Sequence, residues 1–563
     1  LGADVHLARA LAIALLVTVA GCASRASRAM VTCSPPECPY PTSLALVAEV
    51  APPAQGPDVR QEITSISINP KTGLFTVQLD APVTLSGKVT ITSAGTSKPV
   101  PVAATIVAAR PSRISGRPDV YYQTATDPST GAYQLAVSPN VADQYVLRVT
   151  PSDPTQVPPL QEMVTATGNQ QLDFTYSDPL VLPELHGIIT DSLLNRVDGM
   201  QVRAVDGNGV VVSTTVVTDP TGTYSLRLLA SRPSTVTLTA TQAPLPSNAP
   251  APAPGPPPVP SLSRLVTMVD GMTFGSSVEA NMELPPLPTA AHFSYGIASP
   301  SLSGARTPVV GATCVFSADV SDPKSVDGVT ATFTATAVTD AVGNAAVWLV
   351  PGANGNRSYG VSITPDPSSP FQPLTTMIEV APGGGYMTIM GLAIRPQLYG
   401  RVHDPTYAPL PGVTIAPMPS TLGAAAAAPD NLLRTLPTSA PPAMSGLDGT
   451  FSLRLDPAQW DVGLIPPADA MLPRVWLPGT NVIANTDLGE RIIPRGVMVH
   501  GVVRDAANRP VPVADVLIYT VAPGNASCAT GDLSCLAPAR LRAEGPTDAN
   551  GAVGIILPNQ PTD

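Results

Sequence analysis

A short cassette, Thr218-Asp-Pro-Thr-Gly-Thr-Tyr-Ser-Leu226, constrains what this chain can fold into more than any other stretch. Asp219 can hydrogen-bond the backbone two residues on. Gly222 supplies a positive φ without steric cost, and Tyr224 and Leu226 then share one face of a strand. The cassette recurs as Thr126-Asp127-Pro-Ser-Thr-Gly131-Ala-Tyr133-Gln-Leu135, Thr339-Asp340-Ala-Val-Gly343 and Thr547-Asp548-Ala-Asn-Gly551. A degenerate copy is Ser445-Gly446-Leu-Asp-Gly449-Thr-Phe451-Ser-Leu453. Five turn-then-strand copies read as a repeat protein.

Three further markers keep a fixed order around the cassette. A strand ending in glycine precedes it: Leu85-Ser-Gly87, Leu185-His-Gly187, Ser294-Tyr-Gly296, Leu398-Tyr-Gly400 and Val499-His-Gly501. These glycines stand 100, 109, 104 and 101 residues apart, which matches one sandwich domain of about 100 residues per period. Pro/Gly turns such as Pro409-Leu-Pro-Gly412-Val open the next strand, and Tyr145-Val-Leu-Arg-Val149 or Tyr359-Gly-Val-Ser-Ile363 closes the unit. Sixty-seven prolines in 563 residues, more than twice the usual ~5 %, disfavour helices. The predicted fold is all-β: about five tandem Greek-key β-sandwich domains in an extended array.

This order of markers resembles the carboxypeptidase regulatory-like domain, also called prealbumin-like or transthyretin-like, over nearly all of residues 85 to 563. The resemblance implies seven-stranded sandwiches that act as accessory or spacer modules without catalysis of their own. The expected units are 61–176, 177–285 with a Pro-rich spacer at 243–260, 286–393, 394–496 with an Ala/Pro-rich loop at 417–442, and 497–563. The fifth stops at Leu557-Pro-Asn-Gln-Pro-Thr-Asp563 without its closing strand, so either the sequence is cut short there or this unit is incomplete and exposes a sheet edge.

Residues 1–21 read as an export signal: His6 and Arg9, then the apolar run Leu11–Ala20, too short to span a bilayer as a helix. Val19-Ala20-Gly21-Cys22 resembles the bacterial lipoprotein signal, which implies lipid on Cys22 and a bacterial cell-envelope location, at the outer membrane in a diderm host. Residues 22–60, with Ser34-Pro-Pro and Ala51-Pro-Pro, read as a Pro-rich tether. The expected partners are the membrane, through that lipid, and a protein or carbohydrate ligand.

A net charge of −11 excludes nucleic acid, which needs a basic stripe. Cys33 with Cys38, and Cys528 with Cys535, are close pairs that read as loop-closing disulfides in an exported chain; a metal site is the alternative. Cys314, in the alternating Ala312–Phe316, reads as core. His186 and His500 occupy one repeat position that Ser86, Tyr295 and Tyr399 fill in other units, which suits an outward strand position rather than a general base. No metalloprotease or nucleophile-elbow motif occurs, so neither an enzyme nor a cofactor is expected. Asp127, Asp219, Asp340 and Asp548 each offer one acidic residue per turn, where calcium takes six to eight oxygens, and they read as turn residues with Gly131, Gly222, Gly343, Gly449 and Gly551. Trp348 and Trp460 fall in strands, leaving Trp476 as the candidate exposed aromatic for a glycan. The function expected is a non-enzymatic, lipid-anchored structural or adhesive rod, with a glycan-binding lipoprotein or an accessory part of a longer secreted hydrolase as alternatives.

Overall fold

The computed structural model places each of the five glycine-bearing strands at the centre of a sheet. It describes residues 32–33, 38–41, 44–92, 98–139, 144–178, 182–229, 235–243, 258–268, 276–300, 306–325, 327–352, 355–383, 385–422, 440–521 and 537–559. Most of the 243–260 spacer and of the 417–442 loop lies outside these residues. Among the described residues every extended element is a strand, and the single helical turn is Ala468–Ala470.

Each central strand pairs antiparallel with its cassette strand. Val83–Ile91 takes Ala132–Val137, Glu184–Thr190 takes Thr223–Arg227, and Ala291–Ala298 takes Asn344–Leu349. Gln397–His403 takes Thr450–Arg454, and Gly496–Arg504 takes Ala552–Pro558. On its other side each central strand takes a parallel closing strand. In the first four units this comes from the end of the unit's own sequence: Phe174–Tyr176, Ser277–Glu279 with Met282–Glu283, Gly385–Gly391 and Thr486–Ile492.

The fifth unit takes its closing strand from the other end of the chain. Leu74–Gln78 pairs in parallel with Gly496–Arg504, and Leu46–Ala51 pairs antiparallel with Asp515–Thr520, with Gln61–Ile66 beyond it. Eight of the nineteen buried residues in this unit's core come from residues 46–79, among them Leu46, Phe75, Val77 and Leu79. The sequence expectation is therefore corrected in two places. Residues 44–79 are three strands of a sandwich, not the distal part of a tether and the start of the first unit. The strand the fifth unit's own sequence lacks, the counterpart of Tyr145–Pro151, is Leu46–Ala51 on Asp515–Thr520, and the unit's central strand is paired on both sides. In every unit the closing strand runs directly into the next central strand, as Leu74–Gln78 does into Val83–Ile91. The pattern is thus cyclic, and a single unit holds both residues 44–79 and residues 496–558.

The second sheet of each unit is antiparallel. In unit one its order is Leu160–Val164, Tyr145–Pro151, Ala104–Arg110, Val120–Ala125. Units two and three share theirs: Ser261–Thr267 pairs with Val329–Val338, giving one sheet of eight strands over a single continuous core.

The repeated residues have repeated jobs. The cassette glycines all have φ between +68° and +79°. A Cβ on Gly222 would stand 2.6 Å from the Ile189 carbonyl oxygen, and one on Gly551 2.5 Å from that of Val503. We expect Gly222→Ala to cost at least the ~1–2 kcal/mol left-handed penalty, read as a roughly tenfold fall in amide-exchange protection along Thr223–Arg227; unchanged protection would contradict the assignment.

The preceding threonine, read from sequence as only part of the turn, clasps the two sheets together. Buried Thr126 Oγ1 donates to Val102 O and accepts from Ala104 N, both at 2.8 Å. Thr218 bridges Val197 O and Met200 N, Ser445 bridges Leu410 O and Val413 N, and Thr547 bridges Val511 O and Ala514 N. In unit three Thr339 Oγ1 accepts from Ala312 N at 2.8 Å.

The glycine of the central strand lets the backbone of the closing strand approach beside the cassette aromatic: a Cβ on Gly87 would stand 2.0 Å from Leu172 O, and one on Gly187 2.5 Å from Ala280 O. Gly87 faces Tyr133, Gly187 faces Tyr224 and Gly400 faces Phe451 across the ladder. The Tyr133 hydroxyl donates to Leu172 O at 2.8 Å, and that of Tyr224 donates to Ala280 O. The fifth cassette has Val553 in place of the aromatic. There the ring on Gly501 is Phe75, from the closing strand on the other side.

Candidate functional site: the interfaces of the closing unit

The densest buried polar chemistry outside the clasps lies where unit five meets units one and four. Glu62, on the strand Gln61–Ile66, receives Arg110 Nη1 at 2.9 Å on Oε2, and both side chains are almost fully buried. The Arg113 amide reaches the same oxygen at 3.1 Å, and the Ser112 hydroxyl donates to Oε1. Arg110 ends the strand Ala104–Arg110, so the pair joins unit one to the N-terminal strands of unit five. Glu49 divides its two oxygens between Arg60 Nε and Arg117 Nε, each at 2.9 Å. Arg117 also lies over the Tyr519 ring, 5.5 Å from its centroid, and burial pushes the Tyr519 hydroxyl above its ordinary range. Ile114 plugs a small core of Val47, Tyr519 and Ala539, and Ala539 N donates to Ser115 O at 2.7 Å.

On the opposite side, Arg540 Nε meets Asp461 Oδ2 at 2.9 Å, again with both groups buried. Asp461 Oδ1 accepts from Ser420 Oγ at 2.8 Å and Gly479 N at 2.9 Å. Trp476, expected to be exposed, is 5 % exposed. Its ring fills the space over Gly463, and its Nε1 donates to Leu541 O at 3.0 Å. The correction has a simple cause: Gly463 leaves room for an indole beneath the edge of unit five. Asp461, Trp476 and Arg474, which reaches Glu544 Oε1 at 2.5 Å, carry unit four onto the strand Arg540–Pro546.

The residues singled out from sequence are spread over the units. Cys22, Cys528 and Cys535 lie outside the described residues, as does the side chain of Cys33. Cys38 is buried, with Asn559 Nδ2 at 3.4 Å from its sulfur. Cys314 is fully buried, and that burial pushes its thiol up to about 11. His500 is exposed and His186 half-buried. Asp127, Asp219, Asp340 and Asp548 sit one to a unit, and the Oδ1 of each accepts backbone amides of its own turn. A second aspartate turn of the same kind, missed from sequence, follows the central strand at Asp191, Asp404 and Asp505. Among the described residues no group of three or more His, Cys, Asp or Glu is placed to hold a metal ion.

The Asp219 turn has a checkable acid signature. Hydrogen bonds from the Thr221 hydroxyl, and then from the Thr223 amide and hydroxyl, lower its pKa to about 2. A depressed folded-state pKa contributes stability above the unfolded value, near 3.9, that is lost as pH falls through about 2. A carbon-detected NMR titration should place the Asp219 midpoint near 2, and the stability difference between wild type and Asp219→Asn should shrink between pH 4 and 2. A midpoint at 4 would show that the carboxylate is free of the turn.

No family model matches the chain, and no curated protein matches it. Among solved structures it is similar to the Bacillus anthracis TIE protein, at 9 % identity and TM-score 0.18, over 73 % of this chain and 74 % of that one. A Streptococcal ancillary pilin matches at 13 % identity and TM-score 0.19, over 56 % of this chain and 99 % of that one. A mutant of shaft pilin SpaA from Lactobacillus rhamnosus GG matches at 13 % identity and TM-score 0.23, over 37 % of this chain and 98 % of that one. Superpositions this loose carry no argument about activity or partner.

Proposed function

We propose that this chain is a non-enzymatic structural or adhesive protein of the bacterial cell envelope, anchored through lipid on Cys22. The observation that carries the reading is the commitment of polar side chains to the framework itself. In four units the cassette hydroxyl bridges a carbonyl and an amide at the turn between the sheets, in the third it accepts from Ala312 N, and the cassette aspartates are occupied by turn amides. The buried ion pairs likewise join one unit to another. Such a molecule presents a durable surface whose stability is distributed over repeats. The alternative of a glycan-binding lipoprotein loses its candidate aromatic with the burial of Trp476.

The membrane is the proposed partner through the lipid, with a protein or carbohydrate ligand on the outward surface. The pairs Cys33–Cys38 and Cys528–Cys535 are proposed as disulfides, which intact-mass analysis with and without reductant would count. The deciding experiment labels cells with a fatty-acid analogue in wild type and Cys22→Ala, then fractionates and surface-digests them. Label lost in the variant, with wild type shaved from intact cells, supports an anchored surface protein. Unlabelled wild type in the medium overturns the anchor.

A further inference from the structure

We propose that a second copy of this chain can complete unit five, so that copies link head to tail by exchanging their N-terminal strands. The C-terminal half of that unit is not a closed sandwich by itself. It supplies eleven of the nineteen buried core residues, and residues 46–79, with the strands Leu46–Ala51, Gln61–Ile66 and Leu74–Gln78, supply the other eight. Without them, Gly496–Arg504 and Asp515–Thr520 would each present an unpaired edge, and such an edge templates any matching strand.

The two halves are tied to different neighbours. The N-terminal strands hold to unit one: Glu62 to Arg110, Glu49 to Arg117, Tyr122 to the Arg60 carbonyl, and the Gln61 side chain clamping the Asp80 backbone at 2.7 and 3.0 Å. The C-terminal strands hold to unit four through Arg540–Asp461, Arg474–Glu544 and Trp476. The seam of the closed molecule therefore runs through the middle of unit five and on between unit one and the C-terminal strands, where Ile114 and Arg117 meet Tyr519 and Ser115 meets Ala539. Exchange rebuilds every contact across that seam with a partner's residues, so the balance between closed monomer and linked copies rests on concentration rather than on new contacts. The interface is heterologous, with donor strands meeting an acceptor sheet. Two copies that donate to each other close as a dimer, and donation onward to a third propagates, giving a row or a larger ring. The proposal concerns assembly alone and holds with or without a lipid on Cys22.

The test uses the register Thr76↔Val502. Thr76 is exposed and Val502 half-buried. Full-length chains carrying either Thr76→Cys or Val502→Cys are mixed in denaturant, refolded together at low and tenfold higher concentration, and oxidised. Peptide mass spectrometry reads the 76–502 crosslink. The double variant, refolded dilute, should close within one chain. The mixture should give the crosslink between chains, its share rising several-fold with concentration, together with a ladder of oligomers. If the double variant closes while the mixture gives no 76–502 crosslink at either concentration, exchange does not occur and the proposal fails. If the double variant does not close, the two ends do not pair and the proposal fails with them.

Discussion

Removal of residues 38–79 should unfold the far end of the chain while leaving units two and three protected. The segment supplies eight of the nineteen core side chains of unit five and the strand on one side of Gly496–Arg504. Deleting one buried Phe or Leu costs about 2–5 kcal/mol, so losing the whole set exceeds the ~5–15 kcal/mol of a typical domain. Amide exchange along Gly496–Arg504 and Ala552–Pro558 should then approach the unprotected rate, while the fused sheet around Ser261–Thr267 and Val329–Val338 keeps its protection. The single change Phe75→Ala should cost about 3–5 kcal/mol, because the ring is 3 % exposed and fills the space over Gly501. Two controls separate this from damage to the first unit. Exchange within Ala104–Arg110 should stay slow in Phe75→Ala. A permuted chain carrying residues 38–80 after position 559 should recover unit five. Retained protection of Gly496–Arg504 in the deletion would show that the N-terminal strands are not part of that unit.

Glu62→Ala should be the most damaging single substitution at an interface. It leaves Arg110, 4 % exposed, without its carboxylate, and removes the acceptor for Ser112 and the Arg113 amide. Breaking a buried pair from one side costs about 3–5 kcal/mol, whereas replacing both partners with apolar side chains of similar volume is often neutral. Denaturant midpoints should therefore fall sharply for Glu62→Ala and largely recover in Glu62→Leu with Arg110→Met. The contrast is Arg509–Asp505, where the arginine is 70 % exposed and the buried aspartate keeps the Ala507 and Arg509 amides: Arg509→Ala should cost under about 1 kcal/mol. Equal losses at the two sites would mean that burial does not set the cost.

Much of the architecture was legible because it is written in turn residues. Gly131, Gly222, Gly343, Gly449 and Gly551 had to be turn glycines, and each occupies the left-handed region. The alternation of Tyr224 with Leu226 placed both in the core. What escaped was non-local. Leu46-Val-Ala-Glu-Val50 and Leu74-Phe-Thr-Val77 carry strand-like runs, but a strand's partner is not encoded in its own residues. The nearby prolines make Leu46–Val50 read as tether, while Leu74–Val77 reads as the start of the first unit. One signal was available: the fifth cassette alone among the fully marked copies lacks both an aromatic and a following closing strand, and both are supplied by one N-terminal strand. The interface groups were less legible still. Glu62, Arg110, Asp461 and Arg540 belong to no repeated motif, and a surface charge and a buried one look alike in sequence. Trp476 was misread because its cover comes from another unit.

The pairing of Gln78 with Asp505 spans 427 residues. During synthesis at about 5–20 residues per second, the strands of residues 46–78 emerge roughly 20–85 seconds before their partners exist. Leu46–Val50 is buried on both faces in the finished molecule, so for that interval it has Gln61–Ile66 along one edge, while its other edge and its core face wait for Asp515–Thr520. Units one to four can each close as they appear, but these early strands are the last to find their place. A chain built this way depends, for its yield, on whatever shields those strands during the wait.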